Sequence, residues 1–514
     1  MSGTAFDSSV LRGVDVKGAT ADALYQQYGL TTKDLTWEPS YVSQAELDHS
    51  EFATRVHFKD WDNFEDPFRL HYEDYCRVQS EKESVLAEQR KLAARFKDVD
   101  AIDIHWLQGM KLFYPAACNS EAEAHRGHAA LARFSPSASM SMAAFYQVLD
   151  EIRHAQMDLA AMRFLRNYTN AFENWPLMYQ HQWVLQTFRS LFEDMMMVED
   201  PFEMAINTNL TLELGYSNML FVATPTAAVA NGDRLYGQHA LSTQSDETRH
   251  AALGQAAIRT LLEEDERNVP IVQRWLDKWT WRHHRVFGVN GIFLDYFAKN
   301  KPMSHRQAVD KYFIEGYIEG MLEDYGPLGL KPPRFLEDIL RERDTQSHIV
   351  YKLAHQYKYI NFFCTFAPDE EDKAWLRNEY PNWDAVVGKY WEAVEAGDSG
   401  DVMGLPLICN LCHFPCIFPD PDTPQIFRHE HNGRTYWFCS QGCKWIFEQE
   451  PQKYQDDYTL VELIFAGRAP VLTDIENLLQ YMGLRPDGSS GGDLYLSEEW
   501  RNWKGNRGRV SSVR

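Results

Sequence analysis

Two copies of one five-residue pattern constrain the fold of this chain more than any other feature of its sequence. The pattern reads DEIRH at 150–154 and DETRH at 246–250. Residues i and i+3 lie on one face of a helix, so each copy can direct a glutamate and a histidine to a common point. We therefore predict that two facing helices supply four ligands to a pair of metal ions. These ligands are Glu151, His154, Glu247 and His250.

A paired metal centre of this kind needs one more glutamate from each of two further helices. Upstream of the first copy stand Glu121 and Glu123, which would point about 200° apart around a helix, so only one of them can be a ligand. Upstream of the second copy, Glu213 is a lone acid in an apolar stretch. The order of glutamate, motif, glutamate, motif is the order that a four-helix di-iron centre requires.

Charged residues within the two copies are expected to support the histidines. A metal-bound histidine commonly donates its second ring N–H to a carboxylate, which an arginine can hold in turn. Carboxylate-rich ligation suits iron or manganese, and O₂ activation is the favoured chemistry, with iron storage or ferroxidase activity as the simpler alternative. The residues in supporting positions are Asp150, Arg153, Asp246 and Arg249.

Length and charge exclude several other functions. The chain has 514 residues and a formal net charge of -23. This length exceeds what a single storage bundle needs, and the acidic surface disfavours binding to nucleic-acid phosphates. No apolar stretch approaches the roughly 20 residues of a membrane span, and the N-terminus has no apolar signal core. We therefore expect a cytoplasmic protein with no membrane contact.

Five of the eight cysteines lie between residues 409 and 443, which predicts a zinc site. A CxxC pair followed by a CxxxC pair offers four thiolates, and a CxxC knuckle closes naturally on one metal ion. Redox or disulfide chemistry is the alternative, because the same spacing can be oxidised. The preferred ligands are Cys409, Cys412, Cys439 and Cys443, and the competing candidates are Cys416, His413, His429 and His431.

The chain resembles the large (α) hydroxylase subunit of bacterial multicomponent monooxygenases, a group that includes soluble methane, toluene, alkene and phenol monooxygenases. The similarity runs from LTWEPSYV and DWDNFEDPFRL through DEIRH, STQSDETRHAALG and NVPIVQRWLDKWTWR to the cysteine-rich segment. It is strongest to the phenol hydroxylase branch, and the FCSQGC segment resembles a YHS-type metal-binding module. The resemblance implies a mostly α, ferritin-like di-iron helical bundle with extra helices, followed by a small zinc-binding α+β module.

Domain limits follow from these patterns and from a change of composition after residue 397. We expect an N-terminal arm at 1–75, a di-iron hydroxylase domain at 76–397, a YHS-like module at 398–460 and a tail at 461–514. The basic, aromatic stretch at 281–285 is expected to meet a partner subunit. Its neighbouring histidines, His283 and His284, point about 100° apart on a helix and make a poor metal site.

The resemblance also implies roles for individual residues. It makes Glu121, Glu151 and His154 ligands of one iron, and Glu213, Glu247 and His250 ligands of the other. Ser217 falls where the family keeps a hydroxyl residue, usually threonine, near the O₂ site. Asn218 and Gln244 fall on polar active-site positions.

Two alanines depart from the family pattern near the first predicted ligand. Ala122 stands where many relatives have an aromatic residue, and Ala117, one turn before Glu121, stands where a bulkier aliphatic residue usually faces the pocket. Both changes remove volume, which predicts a roomier pocket for bulky substrates. The alternative is that Ala117 forms a tight helix contact, since alanine is common in buried interfaces.

The activity implied by the resemblance is NAD(P)H-dependent hydroxylation of an aromatic, phenol-like hydrocarbon with O₂. The sequence has no dinucleotide fingerprint and no ferredoxin-type cysteine spacing, so NADH-derived electrons are expected from a separate flavin and iron–sulfur reductase. The other implied partners are β and γ subunits in an (αβγ)₂ assembly, a small effector or coupling protein, and a small hydrophobic substrate. Alternatives are alkene or alkane oxidation, a radical generator resembling ribonucleotide reductase, and a noncatalytic metal-binding assembly subunit.

Overall fold

The computed structural model describes residues 54–58, 64–344, 408–414 and 427–470, with short gaps at 136, 169–171, 173 and 183 and a few single residues elsewhere. Most of the predicted N-terminal arm, the predicted linker, Cys416 and most of the tail lie outside the described residues. The domain limits therefore stay predictions.

The described part of the chain is mostly helical, as the hydrophobic spacing predicts. Helices end next to residues that disfavour helix. One helix ends at Phe134, before Ser135, and another ends at Ala230, before the turn formed by 231–233. Among the described residues, no helix is long and apolar enough to cross a membrane. The helices before the cysteine-rich segment are α1 Tyr72–Phe96, α2 Ile104–Phe134, α3 Ala138–Leu165, α4 Trp175–His181, α5 Gln186–Met196, α6 Pro201–Ala205, α7 Thr224–Ala230, α8 Arg234–Glu264, α9 Asn268–Ile292, α10 His305–Ala308, α11 Gly320–Tyr325 and α12 Leu336–Arg343.

Several helices continue into wider π-helical turns. Helix α6 runs into Ile206–Tyr216 and then Met219–Ala223, α9 runs into Phe293–Phe297, and α10 runs into Val309–Glu319. π-Helical turns are rare and occur frequently at functional sites. The first of these segments carries Glu213, so the predicted ligand lies on an irregular helix that apolar spacing alone does not reveal.

Four elements pack around the predicted metal ligands: α2, α3, α8 and the π-helical segment Ile206–Tyr216. Helices α2 and α3 are separated by three residues in the sequence and pack closely along their lengths. Helix α8 approaches the π-helical segment at Gly254, where an added Cβ would lie 2.5 Å from Cβ of Asn209. A side chain at this crossing would push the two ligand-bearing elements apart. Glycine therefore permits their close approach.

A small α+β unit follows, as predicted. Strands β1 (Phe427–His431) and β2 (Arg434–Phe438) form an antiparallel hairpin, whose turn places Asn432 and Gly433 at positive φ. Such turns match the right-handed twist of paired strands. The helices of this unit are α13 Gln441–Gln449, α14 Pro451–Tyr454 and α15 Leu460–Phe465. The predicted mostly α fold with a small cysteine-rich module is thus confirmed.

The small unit packs directly on α9, which corrects one expectation. The stretch at 281–285 does not form an exposed surface for a partner subunit, because its side chains are buried within this chain. The backbone at Gly442 lies against the ring of Trp281, where an added Cβ would come within 2.5 Å. Arg282 donates to the carbonyl of Leu411 at 3.3 Å. The charge and aromatic content of this stretch indicate that another surface covers it. They do not indicate whether that surface belongs to a partner subunit or to this chain.

Candidate active site

The glutamates of the two repeated motifs lie between the two histidines. The carboxylate of Glu151 is 3.6 Å from Nδ1 of His154 and 3.7 Å from Nδ1 of His250. The carboxylate of Glu247 is 3.3 Å and 3.2 Å from the same two atoms. Each of these glutamates therefore lies near both histidines, an arrangement that the spacing of either motif alone does not specify.

The other two predicted glutamates approach one histidine each. Glu121 lies 3.7 Å from Nδ1 of His154, and Glu213 lies 3.8 Å from Nδ1 of His250. Glu123 instead accepts a hydrogen bond from the hydroxyl of Tyr179 at 2.8 Å, and burial raises its pKa to about 7. Of the two acids that the sequence offers on α2, the geometry favours Glu121.

The donor set fits a pair of iron ions. Donor atoms of Glu121, Glu151 and His154 lie within 4.8 Å of one another, and so do those of Glu151, Glu213 and His250. Burial, together with the charge of Glu247, raises the pKa of Glu213 well above its ordinary value. Buried like charges are costly unless they are paired or bind a metal, and carboxylate with imidazole suits iron.

Each supporting aspartate contacts the histidine of the opposite helix. Nε2 of His154, on α3, lies 3.4 Å from Oδ2 of Asp246 on α8. Nε2 of His250, on α8, lies 3.0 Å from Oδ2 of Asp150 on α3. The crossed pairs fix both imidazole rings with Nδ1 toward the glutamates, so they connect the two helices as well as orienting the candidate ligands.

The arginines of the motifs hold these aspartates. Arg153 donates to Oδ2 of Asp246 at 3.0 Å, and Arg249 donates to both Asp150 and Asp246. Both arginines thus contact the aspartates beside the histidines, and their role in supporting a bound metal stays a prediction.

Helix α1 adds three supporting side chains that the sequence interpretation missed. Gln79 donates to Oδ1 of Asp150 at 2.9 Å and to Oδ1 of Asp246 at 2.8 Å. The hydroxyl of Tyr75 donates to Asp150 at 2.9 Å, and Lys82 donates to Asp246 at 2.7 Å. These residues are spaced by four and three positions, which places all three side chains on one helix face. That spacing was the sequence pattern from which their common role could have been predicted.

An apolar cavity of about 80 Å³ adjoins the candidate ligands. One water molecule needs only ~10–15 Å³, so the cavity is large enough for several water molecules or for a small organic molecule. Glu121, Glu151, His154, Glu213 and Glu247 all contribute to its wall. The apolar part of the wall includes Phe113, Leu191, Phe192, Leu220, Val286 and Phe287.

Only some of the residues that were predicted to lie in the pocket line this cavity. Ser217 lines it, and its hydroxyl donates to the carbonyl of Glu213. Asn218 is exposed and Gln244 is partly exposed, and neither is among the lining residues. Ala117 lines the cavity whereas Ala122 does not, so only Ala117 is placed to change its volume. The catalytic roles of these residues stay predictions.

The second candidate metal centre lies in the small unit. The sulfur atoms of Cys409, Cys412, Cys439 and Cys443 lie within 4.8 Å of one another, and all four side chains are buried. Cys409 and Cys412 lie in a tight loop. A backbone hydrogen bond of 2.8 Å, from the amide of Cys409 to the carbonyl of Phe414, closes this loop. In the second pair, Cys443 lies in the first turn of α13. Four converging buried sulfurs are the donor set of a structural zinc site.

The competing histidines pair elsewhere. His413 lies 2.6 Å from Asp457, His429 lies 3.3 Å from Glu448, and His431 contacts Asn432 at 3.1 Å. Cys416 lies outside the described residues. Among the cysteines that the structure describes, none forms a disulfide.

Helix α9 completes the surroundings of the thiols. Nε1 of Trp281 donates to Sγ of Cys443 at 3.4 Å. Burial opposes ionisation of Cys443, but hydrogen bonds from the other three thiols and the charge of Arg285 hold its pKa well below its usual range. Helix α9 thus supplies polar contacts to a site whose ligands lie in the small unit.

Comparisons with known families match both parts of the chain. The family described as methane, phenol and alkene hydroxylase matches residues 37–265. The YHS domain matches residues 422–458. The second match includes Cys439 and Cys443 and begins after Cys409 and Cys412.

Individual relatives extend the similarity over nearly the whole chain. The oxygenase component of phenol 2-monooxygenase from Pseudomonas sp. strain CF600 is 32% identical over 95% of this chain and 95% of the relative. The oxygenase α subunit of the alkene monooxygenase system from Xanthobacter autotrophicus is 30% identical over 88% of this chain and 93% of the relative. The crystal structure of phenol hydroxylase from Pseudomonas sp. OX1 superposes with a TM-score of 0.82 at 30% identity, covering 92% of this chain and 98% of that one.

Proposed function

Since this chain belongs to the methane, phenol and alkene hydroxylase family, we propose that it binds two iron ions and hydroxylates an aromatic, phenol-like hydrocarbon. It is the oxygenase component of a monooxygenase, as its relatives are. The observation that carries the iron proposal is the sharing of Glu151 and Glu247 between two histidines beside an apolar cavity.

The proposed ligands are the six residues that converge from four elements. Glu151 and Glu247 each lie near both histidines, while Glu121 and Glu213 each lie near one histidine. Reductive activation of O₂ is the chemistry that an iron pair supplies when it is bound there. In the overall reaction one oxygen atom enters the substrate and the other leaves as water, with two electrons derived from NADH.

The chain itself contributes orientation and exclusion of water. The crossed pairs of His154 with Asp246 and of His250 with Asp150 hold both imidazoles in one orientation. The aromatic and aliphatic wall of the cavity binds the substrate ring and keeps bulk water from it. The hydroxyl of Ser217 donates to a backbone carbonyl, which leaves its lone pairs free to accept a hydrogen bond from the cavity.

The relatives are named as components of multicomponent systems, so we propose separate partners for electron delivery and assembly. These are β and γ subunits in an (αβγ)₂ assembly, a flavin and iron–sulfur reductase, and a small coupling protein. We propose zinc for the four-thiol site, where it stabilises the small unit. Alkene oxidation is the second candidate function, favoured by the 30% identity to the alkene monooxygenase subunit.

Metal analysis and a reconstituted assay test the proposal together. The chain is purified with its partner subunits, and iron and zinc are counted per chain. Reductase, coupling protein and NADH are then added, and the products from phenol, toluene and short alkenes are quantified. We expect two irons and one zinc, with faster conversion of the aromatic compounds. Zinc without iron would instead indicate a noncatalytic assembly subunit, and faster epoxidation of alkenes would indicate the second candidate.

A further inference from the structure

One part of the cavity wall is polar although it contains none of the six candidate iron ligands. Asp158 lies on α3, and Tyr236 and His239 lie one turn apart on α8. All three side chains line the cavity and are at least nine-tenths buried. Nε2 of His239 is 3.3 Å from Oδ1 of Asp158, and the rings of Tyr236 and His239 are stacked with centroids 5.9 Å apart. The three residues form one polar cluster that spans two helices.

Two atoms of this cluster lack a hydrogen bond within the described chain. These are Oδ1 of Asp158, despite its closeness to His239, and the hydroxyl of Tyr236. A buried polar atom without a partner costs free energy that a leucine or phenylalanine at the same place would not. A cavity that received only hydrocarbons would be better lined by apolar side chains. The cluster therefore points to a ligand that carries its own polar group.

We propose that Asp158 and Tyr236 bind the hydroxyl group of a phenolic substrate, with the His239 ring packed beside both of them. A phenol hydroxyl can donate to the carboxyl of Asp158 and accept from the hydroxyl of Tyr236, which satisfies both atoms at once. This inference rests on the proposed hydroxylase function and names the side chains that distinguish a ring with a hydroxyl group from a ring without one.

The place of the cluster fits an aromatic ring between it and the candidate ligands. Asp158 follows His154 by four residues, so about one helical turn, roughly 5–6 Å, separates the two along α3. A benzene ring has a comparable span. A substrate held by its hydroxyl at Asp158 therefore presents its ring toward the candidate iron ligands.

Asn290 offers one competing anchor. Its amide also lines the cavity, and neither its oxygen nor its nitrogen has a partner within the described chain. Asn290 lies on α9, however, which contributes none of the six candidate ligands. A single amide there supplies one anchoring group, whereas the cluster supplies groups from the two helices that carry both repeated motifs.

The test compares phenol with toluene, which has nearly the same shape but no hydroxyl. Equilibrium binding of each compound and kcat/KM for each are measured on the complete hydroxylase complex, for the parent and for Asp158→Leu, Asp158→Asn and Tyr236→Phe. We expect Asp158→Leu to lower phenol affinity at least about tenfold while toluene affinity changes less than about twofold. Asp158→Asn should retain most phenol affinity, because an amide oxygen still accepts the hydrogen bond.

Two further variants separate the alternatives. Thr208→Val alters a cavity hydroxyl that already donates to the carbonyl of Met204, so the ratio of phenol to toluene affinity should not change. The proposal is overturned if Asp158→Leu leaves the ratio of phenol to toluene affinity unchanged. It is also overturned if Asn290→Leu removes the preference for phenol and Asp158→Leu does not. Iron content and toluene turnover of Asp158→Leu report on the proposed hydroxylase function independently. The binding measurements test the phenol subsite even if the parent protein hydroxylates neither compound.

Discussion

The carboxylate–histidine centre and the thiolate centre are both predicted from short spacings, yet the fold assembles them in different ways. The first gathers side chains from α2, α3, the π-helical segment and α8, between Glu121 and His250 in the sequence. The second draws all its thiols from residues 409–443. Assembly of the first centre therefore requires the whole helical body, whereas ligands of the second can meet within a small local unit.

The two centres also differ in how their charge is offset. Around the carboxylates, Lys82, Arg153 and Arg249 hold the two aspartates that contact the histidines. Around the thiols, the indole of Trp281 and the charge of Arg285 come from α9. The carboxylate centre thus carries its compensating charges on ligand-bearing helices and on α1. The thiolate centre receives its indole donor and its positive charge from a helix outside its own unit.

The largest expected effect separates the two centres by metal. Glu121→Ala removes a side chain proposed to hold iron and should lower monooxygenase turnover by at least about a thousandfold, with loss of iron and retention of zinc. Glu123→Ala, two positions away, is the matched control and should keep both metals. Metal content and product formation are measured on the same preparations. Loss of iron from Glu123→Ala with none from Glu121→Ala would reverse the assignment.

The converse change should affect the small unit first. Cys439→Ser should lose zinc and unfold this unit, because a structural zinc can supply on the order of 10 kcal/mol of folding free energy. Limited proteolysis should then cut within the cysteine-rich segment, while iron stays bound at ambient temperature. Cys76→Ser, at an exposed thiol on α1, is the control. Retention of zinc in Cys439→Ser would exclude the four-thiol site.

A smaller effect tests the dependence of the thiolate centre on α9. Trp281→Phe keeps the aromatic ring but removes the hydrogen bond to Cys443, and zinc affinity should fall about tenfold, as is typical for partners of metal ligands. Trp106→Phe, on α2, removes an indole hydrogen bond to Asp233 and is the matched control. Competition with a chelator measures both affinities. Equal affinities for the two variants would show that the small unit holds zinc without help from α9.

The last effect concerns Glu123, an acid beside the candidate iron ligands that is not itself among them. The pKa of Glu123 is raised to about 7, so the folded state disfavours its ionisation and loses stability as pH rises from about 4.5 through 7. Glu123→Gln should therefore raise the free energy of unfolding by about 1–2 kcal/mol at pH 8 and leave it unchanged near pH 4. Urea unfolding at the two pH values measures this difference. A gain at low pH instead would contradict the sign of the shift.

Spacing within one element was predictable from the sequence. The ExxH pairs and the CxxC pair report on one helix face or one loop, and the structure brings all of the preferred candidate ligands together. The choice of Glu121 over Glu123 came from the family resemblance, and the hydrogen bond from Tyr179 to Glu123 supplies its physical reason.

Relations between elements were not predictable in this way. The crossed pairing of Asp150 with His250 depends on the register of α3 against α8, and the contribution of Gln79 depends on how α1 crosses both. The burial of 281–285 within the chain was missed because charge and aromatic content do not identify the covering surface. The π-helical turns around Glu213 were missed because the apolar residues there follow no distinct period.

Helix α9 contacts the thiolate centre and also lines the cavity, which has a consequence for how this protein can change over generations. Trp281 contacts a thiol of the small unit, and five residues later Val286 lines the cavity, about 7.5 Å further along the same helix. A helix is too stiff to bend over so short a distance. A substitution that shifts the small unit therefore shifts the cavity wall, so natural selection on the oxidation reaction also acts on a region that does not itself line the cavity.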